Sequence, residues 1–403
     1  MPSQSPLTLL FLTSDVKGFA FLREAKKHNC RVLLLTLDRF RNADWPHESI
    51  DDTFYMPDLF NVEHVTNAVS YLARHHPIDQ IIPLDDFEVE TAAVLREHLR
   101  LPGMNISLAK NFRDKLAMRT TAREAGVRAP EFTGVFHYDR LREFLARVPP
   151  PWLLKPRSEA SAMGIKKLNH ADEVWPLLHS LGDRQSHYVL EQFIPGEVFH
   201  VDGLVWEGEL LFAAPHRYGR PPMEVYHGGG VFFTRTMDWD APETNELLTF
   251  NRELLKALGA VRGATHAEYI RAHADGKIYF LECAARVGGA NISEAVEFAT
   301  GINLWAEWAK MEIAFLRGEP YRLPETRREY AAVLNCLARQ EWPDLSAYDD
   351  AEVVWRLKKP YHAGLILATP DAGRLVSLLN SYSRRFAEDF LAVAPPLESG
   401  TQM

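Results

Sequence analysis

Two glutamates, Glu268 and Glu282, flank Asp275-Gly276, a dipeptide that reads as a hairpin turn. With a three-residue loop over Ala274 to Gly276 and Gly276 at positive φ, residue 268 lies opposite 282 and residue 266 opposite 284, so the two carboxylates share a face. Adjacent carboxylates repel unless a cation lies between them, and Mg²⁺ prefers hard carboxylate oxygens together with substrate phosphates. A two-residue turn gives the other outcome, with the glutamates on opposite faces and solvated. His266 stands two residues before Glu268 and faces the same side of an extended strand. It can orient Glu268, receive a substrate carboxylate, or be a half-buried histidine satisfied by a hydrogen bond.

Anion-handling groups lie nearby in the chain. The segment ECAARVGGANISE places Arg286 and the pair Gly288-Gly289 between an apolar strand and a helical stretch. The glycines permit an anion to approach backbone N–H groups, and Arg286 can contact phosphate or carboxylate bidentately; a flexible turn with a surface arginine is the alternative. Lys155, at the end of the apolar run in WLLKP, and Lys115, on a helical stretch, are further candidates, although lysine heads are normally solvated. Ser158 to Gly164 has small residues suited to lie over phosphates, but few glycines, and it is not a Walker A sequence.

Positioning these groups requires a chain of some size. Its 403 residues suggest two to three domains at about 150 residues each, and 45 basic against 54 acidic residues, a formal charge of -9, argue against a general nucleic-acid surface. Three cysteines, at 30, 283 and 336, share no metal-like spacing and leave one over, so a reducing, cytoplasmic setting without disulfides is expected. Cys283 points away from Glu282 on an extended strand, which argues for packing. No apolar run is long enough for a membrane span, and the N-terminus lacks the basic flank of a signal peptide. Strand-helix-strand alternation to about residue 105 predicts a parallel sheet covered by helices, and the absence of GxGxxG after the first strand gives no indication of a dinucleotide. Asp114 to Ala125 reads as a helix ended by Gly126, and the centre then changes to an antiparallel pattern. The part from about 325 reads either as a small α+β unit or as a continuation of the centre.

Taken in order, Lys115, WLLKP with Lys155, EASAMG, LEQFIPGE, HAE and FLECAARVGG resemble the ATP-grasp superfamily, especially the carboxylate–amine ligase branch that includes bacterial L-amino-acid ligases. The resemblance covers roughly residues 5 to 320; each motif is weak alone, and their order and separation carry the match. It implies an α/β and α+β fold: an N-terminal Rossmann-like parallel-sheet domain over 1–105, a small lid over 106–185, and an ATP-grasp domain over 186–403, with 325–403 as an alternative separate subdomain. ATP would lie between two antiparallel sheets. The resemblance casts Lys115 and Lys155 as phosphate contacts and the loop with Ser158, Ser161 and Gly164 as their cover. It makes Glu191, Gln192, Phe193 and Ile194 the strand beside adenine, with Glu191 accepting from the exocyclic amine, and Glu197 the ribose carboxylate. Glu268 and Glu282 become the Mg²⁺ acids, and Arg286 holds the transferred phosphate. Many relatives carry Asn two residues after the second metal glutamate; this chain has Ala284, which cannot coordinate, so water fills that place or one metal is held less tightly.

The activity so implied is an ATP-dependent ligation of a carboxylate to an amine, with one or two Mg²⁺ ions, or Mn²⁺ in their stead, and with Lys155, Arg286 and His266 as the catalytic set. Substrates would be small carboxylates and amines, amino acids foremost, with no nucleic acid and no membrane. In EVYHGGGVFFTR, three consecutive glycines are costly unless the backbone needs an unusual path or close ligand approach, so His227, Gly228, Gly229, Gly230 and Arg235 are candidates for the acceptor end, with an ordinary loop as the alternative. Gly288, Gly289 and Arg286 would stabilise a tetrahedral oxyanion. A helix near Trp305 and Trp308 could supply a homodimer contact, with core burial the simpler reading. Another ATP-grasp ligation or carboxylation, or a nucleotide-binding regulator that has lost turnover, remain as alternatives, the latter motivated by Ala284.

Overall fold

A computed structural model describes residues 6–160 and 162–392, apart from the side chain of His227; Ser161 lies outside the described residues. The chain opens with β1 (Thr8–Thr13), α1 (Phe19–Lys27), β2 (Arg31–Leu37), β3 (Asp52–Met56), α2 (Val62–Leu72), β4 (Gln80–Pro83) and α3 (Val89–Leu99). The four strands form a parallel sheet in the order β3-β2-β1-β4. Leu9 to Leu12 and Val32 to Leu35 are buried along their whole length, as expected for strands covered on both faces. The chain reverses its winding between β1 and β4, so the loops leaving these strands, 14–18 and 84–88, converge at one edge.

After α4 (Ile106–Lys110), α5 (Lys115–Glu124) starts under a strong cap. Asp114 accepts from the N–H groups of Leu116 at 2.9 Å and Ala117 at 3.4 Å, and its carboxylate also takes Arg157 Nε at 2.9 Å. That contact ties the helix start to a small antiparallel sheet built from β5 (Phe132–Gly134), β6 (Trp152–Pro156), β7 (Lys166–Leu168) and β8 (Tyr188–Gln192), in the order β5-β8-β6-β7. Helices α6 (Tyr138–Arg147) and α7 (Ala171–Leu181) pack on it. Because β8 belongs to this sheet, the small unit extends beyond the expected edge at residue 185.

The remaining strands make one eight-stranded antiparallel sheet. They are β9 (Gly196–Trp206), β10 (Glu209–Tyr218), β11 (Phe232–Thr236), β12 (Gly263–Ala272), β13 (Ile278–Ala284), β14 (Tyr330–Leu337), β15 (Val353–Arg356) and β16 (His362–Thr369), in the order β13-β12-β9-β10-β11-β14-β16-β15. Helix α8 (Pro222–Gly228) bridges β10 and β11, and α9 (Pro242–Leu258) covers one face through Phe250 and Leu254 against Phe199, Tyr269, Phe280 and Cys283. On the other face, α10 (Ile292–Thr300) and α11 (Leu304–Arg317) pack together with the N-terminal unit. Trp308 is buried there, its ring 5.2 Å from that of Phe21, and Trp305 is half-buried against the same cluster, so core packing accounts for both tryptophans. Residues from 330 on join this sheet through β14 rather than forming a separate subdomain, with α12 (Ala372–Asp389) closing a local core around Leu334, Leu365 and Phe386. Among the described residues, no helix is long and apolar enough to cross a membrane.

The hairpin of β12 and β13 decides where the two glutamates face. Near the turn, Tyr269 pairs with Phe280 and Ile270 with Tyr279; then a bulge intervenes, and Glu268 pairs with Glu282 and His266 with Ala284. Had the turn-side register continued, Glu268 would oppose Leu281 and Glu282 would face away. Gly276 does take positive φ, at 69°, but Ala272 N–H donates to Lys277 O at 2.9 Å, so the loop encloses four residues rather than three. The carboxylates share a face because Leu281 is the extra residue of a bulge, not because of loop length alone.

Candidate functional site

Between the small sheet and the β9-β12-β13 end of the large one lies a cleft of about 1120 Å³. Its floor is apolar, with Val198, Ile270 and Leu281 from three adjacent strands, and Ile194 closes one side. Gln192, Phe193 and Ile194 line it where the chain passes from β8 to β9, and Lys167 Nζ lies 3.9 Å from the Phe193 ring centroid.

Both lysines reach this cleft. Lys155, on β6, is buried against the Glu191 carboxylate, which also accepts from Arg119 Nε at 3.1 Å; Arg119 and Glu191 are almost fully inaccessible. Two cations thus flank one buried anion. Burial pushes the Lys155 ammonium below its usual range, with Glu191 opposing and Arg119 reinforcing the shift. Burial alone would raise Glu191, but Arg119 and Lys155 outweigh it and hold the carboxylate below its ordinary range. The expected contact of the Glu191 carboxylate with an adenine amine is therefore revised, since its oxygens are committed to these two cations. Lys115, at the first turn of α5, sits 3.0 Å from Glu282 Oε2 and donates to Glu159 O at 2.6 Å, which holds Glu159 at the cleft. Within that loop, Glu159, Ala162 and Met163 line the cleft, whereas Ser158 and Gly164 do not.

Glu268 and Glu282 face the cleft side by side. Burial would raise the Glu282 carboxyl, but Lys115 first, then Lys155 and Arg119, bring it down to about 2. Glu268 Oε1 accepts from Tyr218 Oη at 2.6 Å and lies 3.7 Å from His266 Nε2. Behind it runs a buried chain: His266 Nδ1 is 2.9 Å from Asp202 Oδ1, Asp202 Oδ2 is 2.7 Å from His200 Nδ1, and His200 Nε2 is 2.8 Å from Thr234 Oγ1. His200, Asp202 and His266 have the composition of a metal cage, but their facing atoms are spent on one another, so they form a hydrogen-bonded relay.

The relay sorts the histidines. Burial disfavours an imidazolium, yet Asp202 and then Glu268 push His266 up to about 10, while burial followed by the charge of His200 drives His216 down to about 3. His200, whose ring stacks 4.8 Å from His216, is also lowered, chiefly by burial. Nitrogen-resolved NMR at pH 7.5 is expected to find His266 as an imidazolium and His200 and His216 neutral. The signs for stability are opposite. The contribution of His266 is complete below its ordinary value of 6.5 and is lost as pH rises through about 10, whereas His216 lowers stability as pH falls from 6.5 toward 3.

Arg286 lines the cleft just after β13, and its guanidinium is anchored by the N-terminal unit, with Nη2 2.7 Å from Asp86 Oδ2 and Nε 3.6 Å from Asp85 Oδ1. Gly289 also lines the cleft. Gly288 has a packing reason to be glycine: a Cβ there would meet Asp202 Oδ1 at 2.5 Å and His266 Nδ1 at 3.0 Å.

Two expected residues face elsewhere. Gly196 and Val198 of β9 line the cleft, so Glu197 between them points to the α9 side, where it pairs with Arg217; it does not reach a nucleotide ribose from that face. Arg235 pairs in register with Arg217 on the same α9 side, close to Glu243, and donates to Thr236 O at 3.2 Å, so it lies outside the cleft lining. Gly228, Gly229 and Gly230 lie at the end of α8, where Gly229 (φ 68°) and Gly230 (φ 140°) turn the chain into β11, while Met223 to Tyr226 line the cleft instead. Motif reading passed over Arg119, Asp86, Tyr218, His200 and Asp202. Arg119 is four residues after Lys115 on one helix face, and His200 and Asp202 alternate on one strand face, so both signals were available.

No protein-family model matches the chain. The chain is 24% identical over 307 residues to the L-arginine-specific L-amino acid ligase of Bacillus subtilis, covering 74% of this chain and 73% of that protein. It is 24% identical over 284 residues to the alanine–anticapsin ligase of the same species, covering 64% of this chain and 57% of that protein. Among solved structures, the L-amino acid ligase from Bacillus licheniformis superposes with a TM-score of 0.73 at 18% identity, over 97% of this chain and 99% of that one. The biotin carboxylase domain of 2-oxoglutarate carboxylase from Hydrogenobacter thermophilus, solved with MgADP, ADP and bicarbonate, gives 0.69 at 15% identity, over 96% and 91%. With its parallel N-terminal sheet and its cleft between two antiparallel sheets, the chain has the ATP-grasp fold of these solved structures, and its sequence is similar to ATP-dependent carbon–nitrogen ligases of the carboxylate–amine branch, the bacterial amino-acid ligases among them.

Proposed function

We propose that the chain joins a carboxylate to the amino group of an amino acid through an acyl phosphate, releasing ADP and phosphate. The observation that carries this reading is the convergence of Lys115, Lys155 and Arg286, from three separate parts of the fold, on one cleft with the facing pair Glu268 and Glu282. The residues fit a metal: two carboxylates lie directly opposite, and Lys115 already supplies the positive charge that Glu282 demands. Glu268 and Glu282 would hold Mg²⁺, which supplies charge neutralisation at the phosphate oxygens.

Lys115 is placed to exchange Glu282 for a phosphate oxygen, and Lys155, a buried cation beside Arg119, gains from an added anion. The substrate carboxylate oxygen attacks the γ-phosphorus, the bond to ADP breaks, and Arg286 beside Gly289 offsets charge on the transferring group. The amine nitrogen then attacks the acyl carbon, the bond to phosphate breaks, and the nitrogen's proton passes to the departing phosphate. The loop carrying Glu159, Ala162 and Met163 excludes water from the acyl phosphate. Ala284, opposite His266, brings no oxygen to the site and favours as second reading a nucleotide-binding protein of weak turnover. A matrix of amino acids against carboxylic acids, assayed for ADP release with products identified by mass, separates the two.

A further inference from the structure

The contacts on Glu268 are one-sided. Tyr218 Oη, at 2.6 Å, and His266 Nε2, at 3.7 Å, both approach Oε1, and among the described residues no hydrogen bond reaches Oε2. We propose that Tyr218 and the Asp202–His266 pair are positioning residues that clamp Oε1 of Glu268 and so present Oε2 as its metal-binding oxygen. This rests on the ligase reading's assignment of Glu268 and Glu282 to the metal.

The clamp is itself fixed. Asp202 bridges His266 at 2.9 Å and His200 at 2.7 Å, and the far nitrogen of His200, Nε2, lies 2.8 Å from Thr234 Oγ1. The Tyr218 ring returns to lie 4.7 Å from the His200 ring, so both groups that touch Oε1 brace against one buried histidine. His200, Asp202 and Thr234 are wholly inaccessible, and Gly288 packs too closely on Asp202 for any side chain to stand there. The arrangement has a chemical reason. Ala284 removes a third protein oxygen, and Lys115 occupies Oε2 of Glu282 at 3.0 Å, so the site depends on how well two carboxylates are aimed. Groups behind a metal ligand fix its orientation, and losing them commonly weakens metal binding by about 10- to 100-fold.

The test uses the full chain with ADP and reads Mn²⁺ binding by electron paramagnetic resonance, together with thermal unfolding. Tyr218→Phe keeps the ring and removes the hydroxyl. Tyr269→Phe is the control, because that tyrosine is also buried and its hydroxyl donates to Asn251 at 2.6 Å on the α9 side of β12. Tyr218→Phe is expected to raise the Mn²⁺ dissociation constant by about 10-fold and to alter the bound-ion spectrum, with Asp202→Asn moving both in the same direction if it folds. Tyr269→Phe should change stability while leaving Mn²⁺ affinity within about twofold. Mn²⁺ affinity unchanged in Tyr218→Phe would overturn the positioning role while leaving the ligase reading in place. A wild-type chain that binds ADP but takes up no Mn²⁺ would overturn both the metal assignment and the clamp.

Discussion

Replacing Glu282 with Gln is expected to lower ADP formation by about 10³-fold, measured under saturating ATP and Mg²⁺ with the best substrate pair. The substitution keeps the shape and an acceptor for Lys115, so the loss would come from charge. One of two facing carboxylates disappears, and Lys115, now 3.0 Å from Glu282 Oε2, loses the anion that holds it. The Glu282 carboxyl is brought down to about 2 because Lys115, Lys155 and Arg119 overcome its burial, so wild type carries the charge across any ordinary assay pH. The stability that this depressed group contributes is present above its ordinary value of 4.5 and lost as pH falls toward 2, and Glu282→Gln should lack that acid-side loss. A rate reduced by less than about tenfold, with metal dependence unchanged, would remove Glu282 from the metal site.

The largest effect on folding is expected at Glu191. Its carboxylate is the shared partner of Arg119 and Lys155, and the side chains of Glu191 and Arg119 are 1% and 0% exposed. Glu191→Gln leaves two buried cations facing a neutral amide, a loss of about 3–5 kcal/mol of the kind seen when one partner of a buried ion pair is removed. Urea unfolding followed by far-UV circular dichroism would measure it. ATP should restore part of the loss, because its phosphates would replace the missing anion beside Lys155. A change below about 1 kcal/mol would mean that Lys155 sheds its proton in the variant, and the phosphate role given to its charge would weaken accordingly.

Much of the scaffold could be read from residue patterns, and the reasons differ by element. The parallel sheet announces itself because LLFL and VLLL are buried on both faces and need no face assignment. The start of α5 is equally plain, since Asp114 is a strong cap directly before Lys115. Face assignments in the large sheet are harder, because a shift of one residue inverts every side chain. Glu197 illustrates this: beside Pro195-Gly196 it looks like a ribose ligand, but the parity of β9 gives that face to Val198. The pairing of Glu268 with Glu282 follows from spacing only in combination with the bulge at Leu281, which no local pattern marks. The Asp86 anchor of Arg286 joins residues on different units of the fold, a contact with no local signature. Arg119 differs again, since its distance of one helical turn from Lys115 was visible and its buried partner was not.

We propose that this cleft makes an amide at the expense of ATP. The most direct measurement incubates the full chain with ATP, Mg²⁺ and paired amino acids and carboxylic acids, following ADP and the mass of every product. At least one pair is expected to give ADP and a condensed amide in equal amounts, with neither formed when the carboxylate or the amine is left out. Tight binding of Mg-ATP with no amide from any pair would contradict it.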